Sequence, residues 1–120
     1  MKVLIVDDSK VMRMIVARAL RQSAVATFEV AEAEDGLAAL EVAKTFSPDL
    51  ILSDWNMPEM SGLEFLKAFR ASGGTTAFGF ITSETHPAIR DEAVEAGANF
   101  LLTKPFSPEQ FAEVVGAVTV

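Results

Sequence analysis

The order of apolar and amphipathic segments predicts an α/β fold: a doubly wound, five-stranded parallel sheet with five helices. Two observations carry this. Short runs, most of them nearly all apolar as expected for strands covered on both faces, alternate with segments of helix length. Two of those runs, Val3-Leu4-Ile5-Val6 and Leu50-Ile51-Leu52-Ser53, end in carboxylates, Asp7-Asp8 and Asp54. The C-terminal edge of the strands is where open α/β sheets bind ligands.

In chain order, residues 2–6 read as the first strand. A helix at 10–22 follows, with Met12, Ile15, Val16 and Ala19 forming one apolar stripe to lie against a sheet. Residues 28–32 are the second strand, 36–45 the second helix and 50–53 the third strand. The third helix, 62–72, is preceded by Ser61 with Glu64 three residues on, a capping-box spelling. Residues 78–82 form the fourth strand, and the fourth helix, 87–96, ends at Gly97. The fifth strand is 100–102. The fifth helix, 108–118, opens with a Ser107/Gln110 pair, Pro108 at its first position, and Phe106 and Phe111 spaced as a hydrophobic staple. Right-handed crossovers leave few topologies for such units. No internal repeat, low-complexity segment or linker interrupts them.

The 120 residues suit a single domain spanning 1–120. Half are hydrophobic, enough for a sizeable core. The net charge of −7 and the absence of any Lys/Arg cluster argue against a nucleic-acid surface. With no cysteine there is no disulfide or thiolate metal site, which fits a reducing compartment. The chain enters a strand with no cleavable leader and has no stretch long enough to span a bilayer. A cytoplasmic domain without a membrane partner is expected.

Neighbouring parallel strands would gather Asp7, Asp8 and Asp54 in one crevice. At about 5 Å and an effective dielectric of about 20, each ionised pair repels by roughly 3 kcal/mol. Protons, a lysine or a cation must compensate. Lys104, after a later apolar run, is one candidate; beyond it the cluster asks for a hard divalent metal. Four segments end at the same edge: Asp7-Asp8, Asp54-Trp55-Asn56-Met57-Pro58, Thr82-Ser83 and Lys104-Pro105-Phe106.

This set, in order and with compatible spacings along essentially the whole chain, resembles the receiver domain of bacterial two-component response regulators. The likeness is greatest to the CheY-like, single-domain chemotaxis members. The resemblance implies the flavodoxin-like strand order 2-1-3-4-5. It implies that Asp54 is the phosphoacceptor, taking a phosphoryl group from a phosphohistidine on a partner histidine kinase to form an acyl phosphate. Asp8, Asp54 and the backbone carbonyl of Asn56 would hold Mg²⁺, with Asp7 acting mainly through a coordinated water. Such a set suits an ion that prefers octahedral oxygen coordination and keeps waters. Lys104 would pair with the phosphoryl group, Thr82 would be the switch hydroxyl that moves to bond it, and the Lys104-Pro105 bond would be cis. Output would pass to a downstream target protein, at the face of the fourth helix, fifth strand and fifth helix near Ile89, Leu101 and Phe111. A phosphatase is a possible further partner, and a phosphorelay shuttle is the alternative role.

The chemistry is consistent with this. Phosphoryl transfer is mostly positioning and neutralisation of oxygens. Mg²⁺ and Lys104 would cancel charge between an anionic nucleophile and an anionic phosphoryl group, and the cation would lower the pKa of Asp54. Ser83 is small and leaves room beside Thr82. One position departs from the family pattern: Leu101 stands three residues before Lys104, where a switch aromatic is usual. Phe100 is one residue early and faces the other way on a strand. Asn56 and Glu84 stand where the family tunes phosphoryl lifetime.

Blander readings compete. The acids could be solvated loop residues or helix caps, Lys104 a surface lysine and Thr82 a strand-end hydroxyl bonded to backbone. Trp55 is expected partly exposed beside the site. His86, the only histidine, is expected exposed at a helix start, so the phosphohistidine must come from another protein. Met12, Met14, Met57 and Met60 are expected to pack rather than to bind metal. The Asp54-Asn56-Pro58 spacing lacks the Gly and distal Glu of a calcium loop, and no Gly-rich phosphate loop is present. An Asp-nucleophile phosphatase would need a second acid where Asn56 stands, so no catalysis is expected beyond the chain's own phosphorylation and dephosphorylation.

Overall fold

A computed structural model describes residues 1–23 and 27–119. The elements alternate strictly: β1 (Lys2–Val6), α1 (Lys10–Ser23), β2 (Glu29–Ala33), α2 (Gly36–Phe46), β3 (Leu50–Ser53), α3 (Gly62–Ala71), β4 (Ala77–Thr82), α4 (Pro87–Glu95), β5 (Phe100–Thr103) and α5 (Pro108–Thr119). All strand pairs are parallel, in the order β2-β1-β3-β4-β5, as the sequence implied.

Alternation along β1 divides the interior in two. Val3 and Ile5 face a core shared with Val16 and Leu20 of α1 and with Phe111 and Val115 of α5. Leu4 and Val6 face the opposite core, with Ala39 of α2, Phe65 and Leu66 of α3 and Ala93 of α4. Both faces of the central strands are thus sealed, which is why β1 and β3 read as continuous apolar runs.

The local signals are realised. Ser61 and Glu64 exchange hydrogen bonds at 3.1 and 3.0 Å, and Ser107 and Gln110 do the same at 3.1 and 2.9 Å. The rings of Phe106 and Phe111 stack with centroids 5.3 Å apart. Gly97 adopts φ 102°, and the amides of Gly97 and Ala98 close on the carbonyls of Val94 and Ala93, a Schellman end to α4.

Three expectations change. β2 lies one residue later than 28–32, because pairing runs from Lys2–Glu29 to Val6–Ala33 while Phe28 packs against the core from outside the ladder. On α1, Ile15 is not on the buried stripe: it and Met14 are exposed, at 45% and 61%, while Val16 and Leu20 face inward. A stripe read from the helix alone does not show how far the sheet extends beneath it. Finally, Phe111 is a core residue, 1% exposed, so the α4–β5–α5 surface is made by its neighbours.

Arg70 of α3 donates to the carbonyls of Gly74, Thr76 and Gly97 at 3.1, 2.7 and 2.8 Å, tying together the segments that enter β4 and β5. At the other edge the ladder continues past the strands. The amide of Asp54 donates to Val6 at 2.8 Å, that of Asp7 to Ala33 at 3.1 Å, and that of Lys104 to Thr82 at 2.7 Å. The candidate residues therefore leave the sheet from hydrogen-bonded backbone.

Candidate functional site

Asp7, at the end of β1, is buried; its Oδ1 accepts from the Ser9 amide at 2.9 Å and its Oδ2 from Lys104 Nζ at 3.3 Å. Asp54, beyond β3, keeps 12% of its side chain exposed, and its Oδ1 accepts from the Trp55 amide at 2.8 Å. Lys104 Nζ stands 3.6 Å from Asp54 Oδ1. Asp8 is exposed, yet each of the three acids offers a carboxylate oxygen within 4.8 Å of the other two. The crevice read from the sequence is therefore present, with its lysine. The Lys104-Pro105 peptide is cis, as the resemblance implied.

The groups of the protein itself hold the Asp54 carboxyl above the ordinary carboxylate range. Burial is the largest cause; Asp7 and Asp8 add to it, and Lys104 and the Trp55 amide oppose it. Lys104 lowers it as a neighbouring ammonium must, and burial outweighs that lowering. A cluster of three acids against one ammonium, offering only oxygen donors, fits a hard divalent cation.

Around this centre, Thr82 is fully buried and its hydroxyl accepts from the Glu84 amide at 3.1 Å, so it also shapes the loop after β4. Ser83 is exposed. Asn56 Nδ2 donates to Glu84 Oε1 at 2.6 Å, joining the loops after β3 and β4 across the mouth of the site. Trp55 is half-buried, its ring 4.8 Å from that of Phe80. His86 is an exposed N-cap of α4, its Nδ1 accepting from the Ala88 amide at 3.1 Å. Met57 and Met60 pack on the core beneath, and Met12 on the other; Met14 alone does not pack as expected.

Phe100 lies over Gly79 of β4, where a Cβ would fall 2.1 Å from its ring. Leu101 faces the opposite core and lines a groove of about 210 Å³ with Glu84, Ile89, Arg90 and Thr103. Phe100 is therefore no stand-in for the missing aromatic.

Two residues at the site were not singled out from the sequence. Gly62, the first residue of α3, sits so close beneath the acid loop that a Cβ would lie 2.0 Å from the Asp54 carbonyl oxygen. Its place directly after the Ser61 cap was the available signal. Arg13, on α1, bonds the Asp7 carbonyl at 2.7 Å, and nothing local in the sequence marks it.

Residues 3–116 match the family model of the response regulator receiver domain. The chain is 35% identical over 119 residues to the probable chemotaxis protein CheY of Rhizobium etli, covering 98% of this chain and 91% of that protein. It is 39% identical over 115 residues to chemotaxis protein CheY-3 of Vibrio cholerae, covering 94% and 87%. Among solved structures, Vibrio cholerae chemotaxis protein CheY4 superposes with a TM-score of 0.86 at 39% identity, covering 98% of this chain and 97% of that one. The receiver domain of the putative response regulator NarL from Mycobacterium tuberculosis gives 0.86 at 35% identity, covering 95% and 91%. Together with the acid cluster and its lysine at the sheet edge, these likenesses establish that the chain belongs to the CheY-like receiver domains of response regulators in two-component signalling.

Proposed function

We propose that this receiver is a phosphorylation switch of a chemotaxis-type pathway, with Asp54 as its phosphoacceptor. One observation carries the reading: a carboxylate backed by an ammonium at 3.6 Å, beside a second buried acid that shares the same ammonium. An Asp54 oxygen attacks the phosphorus of a phosphohistidine on a partner histidine kinase. The P–N bond breaks, its electron pair stays on the imidazole, and an acyl phosphate forms on Asp54. Lys104 balances the added charge. Asp8, Asp54 and the Asn56 carbonyl would hold Mg²⁺, with Asp7 acting mainly through a water, and the ion would supply neutralisation of the phosphoryl oxygens. Release of Thr82 from the Glu84 amide lets its hydroxyl turn to the new phosphoryl group, and the loop before α4 follows.

Ile15, exposed on α1, lines a groove with Met12, Pro105 and Phe106 beside Lys104, and the exposed Val11 and Met14 extend the apolar surface along the same helix; together they offer the kinase a docking strip next to the nucleophile. Output leaves by the α4–β5–α5 face to a downstream protein, and the domain turns over no phosphoryl group other than its own. The chemotaxis names of the relatives support that pathway over a phosphorelay shuttle.

The test uses Trp55, the only tryptophan. Its fluorescence should respond to Mg²⁺ and again to acetyl phosphate, with the mass rising by one phosphoryl group. Asp54→Asn should abolish the second response and the mass gain. No mass gain in the unsubstituted protein at saturating Mg²⁺ defeats the reading.

A further inference from the structure

We infer that Arg13 is a positioning residue for the cation site, acting through the main chain of Asp7 rather than through its charge. The inference rests on the reading of Asp7, Asp8 and Asp54 as that site. Arg13 leaves α1 one turn above the acids, with only 15% of its side chain exposed. Its Nη1 donates to the Asp7 carbonyl at 2.7 Å, and its Nε donates to Glu32 Oε1 on β2 at 2.8 Å. The fork of the guanidinium thus spans from the edge strand to the turn that follows β1.

That turn carries two of the three acids and is otherwise fixed at a few points. The Asp7 amide is held by Ala33, the Ser9 amide by Asp7 Oδ1, and the amides of Met12 and Arg13 by the Ser9 hydroxyl and carbonyl. These bonds secure the amides around the turn; Arg13 secures the Asp7 carbonyl. That carbonyl defines the peptide plane between Asp7 and Asp8, and hence the direction in which the exposed Asp8 leaves the chain. Without the guanidinium the plane is freer to rotate, and Asp8 loses its aim while the sheet below is unaffected.

Charge and position predict opposite signs. Arg13 is a cation close to an acidic crevice, so by Coulomb's law alone its removal strengthens binding of a second cation. If Arg13 orients the turn, its removal weakens it. Mg²⁺ titrations of the unsubstituted protein, Arg13→Ala and Arg13→Lys, followed by Trp55 fluorescence and by calorimetry, separate these. Thermal unfolding in chelator runs alongside. Arg13→Ala should weaken Mg²⁺ binding about 5- to 10-fold. Arg13→Lys, whose single nitrogen lacks the planar fork that serves the two acceptors from separate atoms, should restore less than half of the loss on a logarithmic scale.

Unchanged or tighter Mg²⁺ binding in Arg13→Ala overturns the inference, as does a lower melting temperature with no change in affinity. Should Arg13→Ala fail to fold, Arg13→Lys decides: weaker binding supports the inference and equal or tighter binding overturns it. An unsubstituted protein that binds no Mg²⁺ overturns both this inference and the functional reading beneath it, whereas binding that Arg13 does not affect overturns this inference alone.

Discussion

Replacing Asp54 by asparagine should stabilise the domain in the absence of divalent cations. The acids lie within 4.8 Å of one another, so at an effective dielectric of about 20 an ionised Asp7–Asp54 pair repels by about 3.5 kcal/mol. Asp8 is exposed, and its repulsion is screened to about 1 kcal/mol. Lys104, at 3.6 Å, returns about 4.6 kcal/mol on the same scale. The charges nearly cancel, and the cost of burying the carboxylate decides the sign. That cost reaches several kcal/mol for complete burial, and about 1 to 2 kcal/mol is expected for a group still open on one side. Asparagine keeps an oxygen for the Trp55 amide, so little is lost in exchange.

In chelator at pH 7, Asp54→Asn should therefore melt roughly 4 to 10 °C above the unsubstituted protein, by circular dichroism. The native carboxyl titrates above its unfolded value, so the folded state binds the proton more tightly. The unsubstituted protein should then gain on the variant as pH falls through the folded value towards the unfolded one. Mg²⁺ should also close the gap, since a ligand at a hundredfold excess over its Kd adds about 2.7 kcal/mol. A variant no more stable than its parent in chelator at pH 7, or a gap that widens on acidification, refutes the reasoning.

Other perturbations test the surroundings. Gly62→Ala drives a methyl against the Asp54 carbonyl and the Phe80 ring and should cost about 3 kcal/mol in urea unfolding, with weakened Mg²⁺ binding. Arg70→Ala strips donors from three carbonyls and should cost about 2 to 4 kcal/mol by the same measurement; Arg70→Lys should recover less than half. Leu101→Phe should cost less than about 1 kcal/mol, because the groove of about 210 Å³ beside it has room for the ring.

What the sequence made legible was what is encoded locally. The capping pairs Ser61/Glu64 and Ser107/Gln110, the Phe106/Phe111 staple and the Gly97 stop each depend on residues a few positions apart, and each formed as read. Asp7, Asp54, Thr82 and Lys104 were found because a parallel sheet brings all its strand ends to one edge, so topology alone assembles them. What stayed hidden depends on which element covers which. Ile15 shares the periodicity of buried residues and Met14 their hydrophobicity, yet both stand exposed on α1. The Asn56–Glu84 bond and the grip of Arg13 on the Asp7 carbonyl join segments whose side-chain directions no periodicity reports. Gly62 reads as an ordinary helix start until the carbonyl beneath it is seen.

The amides of Asp7, Asp54 and Lys104 are tied into the sheet, and this limits what a change of charge at Asp54 could move. The Asp54 carboxylate and the Lys104 ammonium are mounted on a shelf that yields only when the sheet itself opens, so the amide protons of these residues should exchange with solvent as slowly as those of the strands. Any displacement must begin in side chains and in the segment from Ser83 to His86. On the proposed function, a signal leaving this domain starts at the loop before α4, while the carboxylate and ammonium behind it stay still.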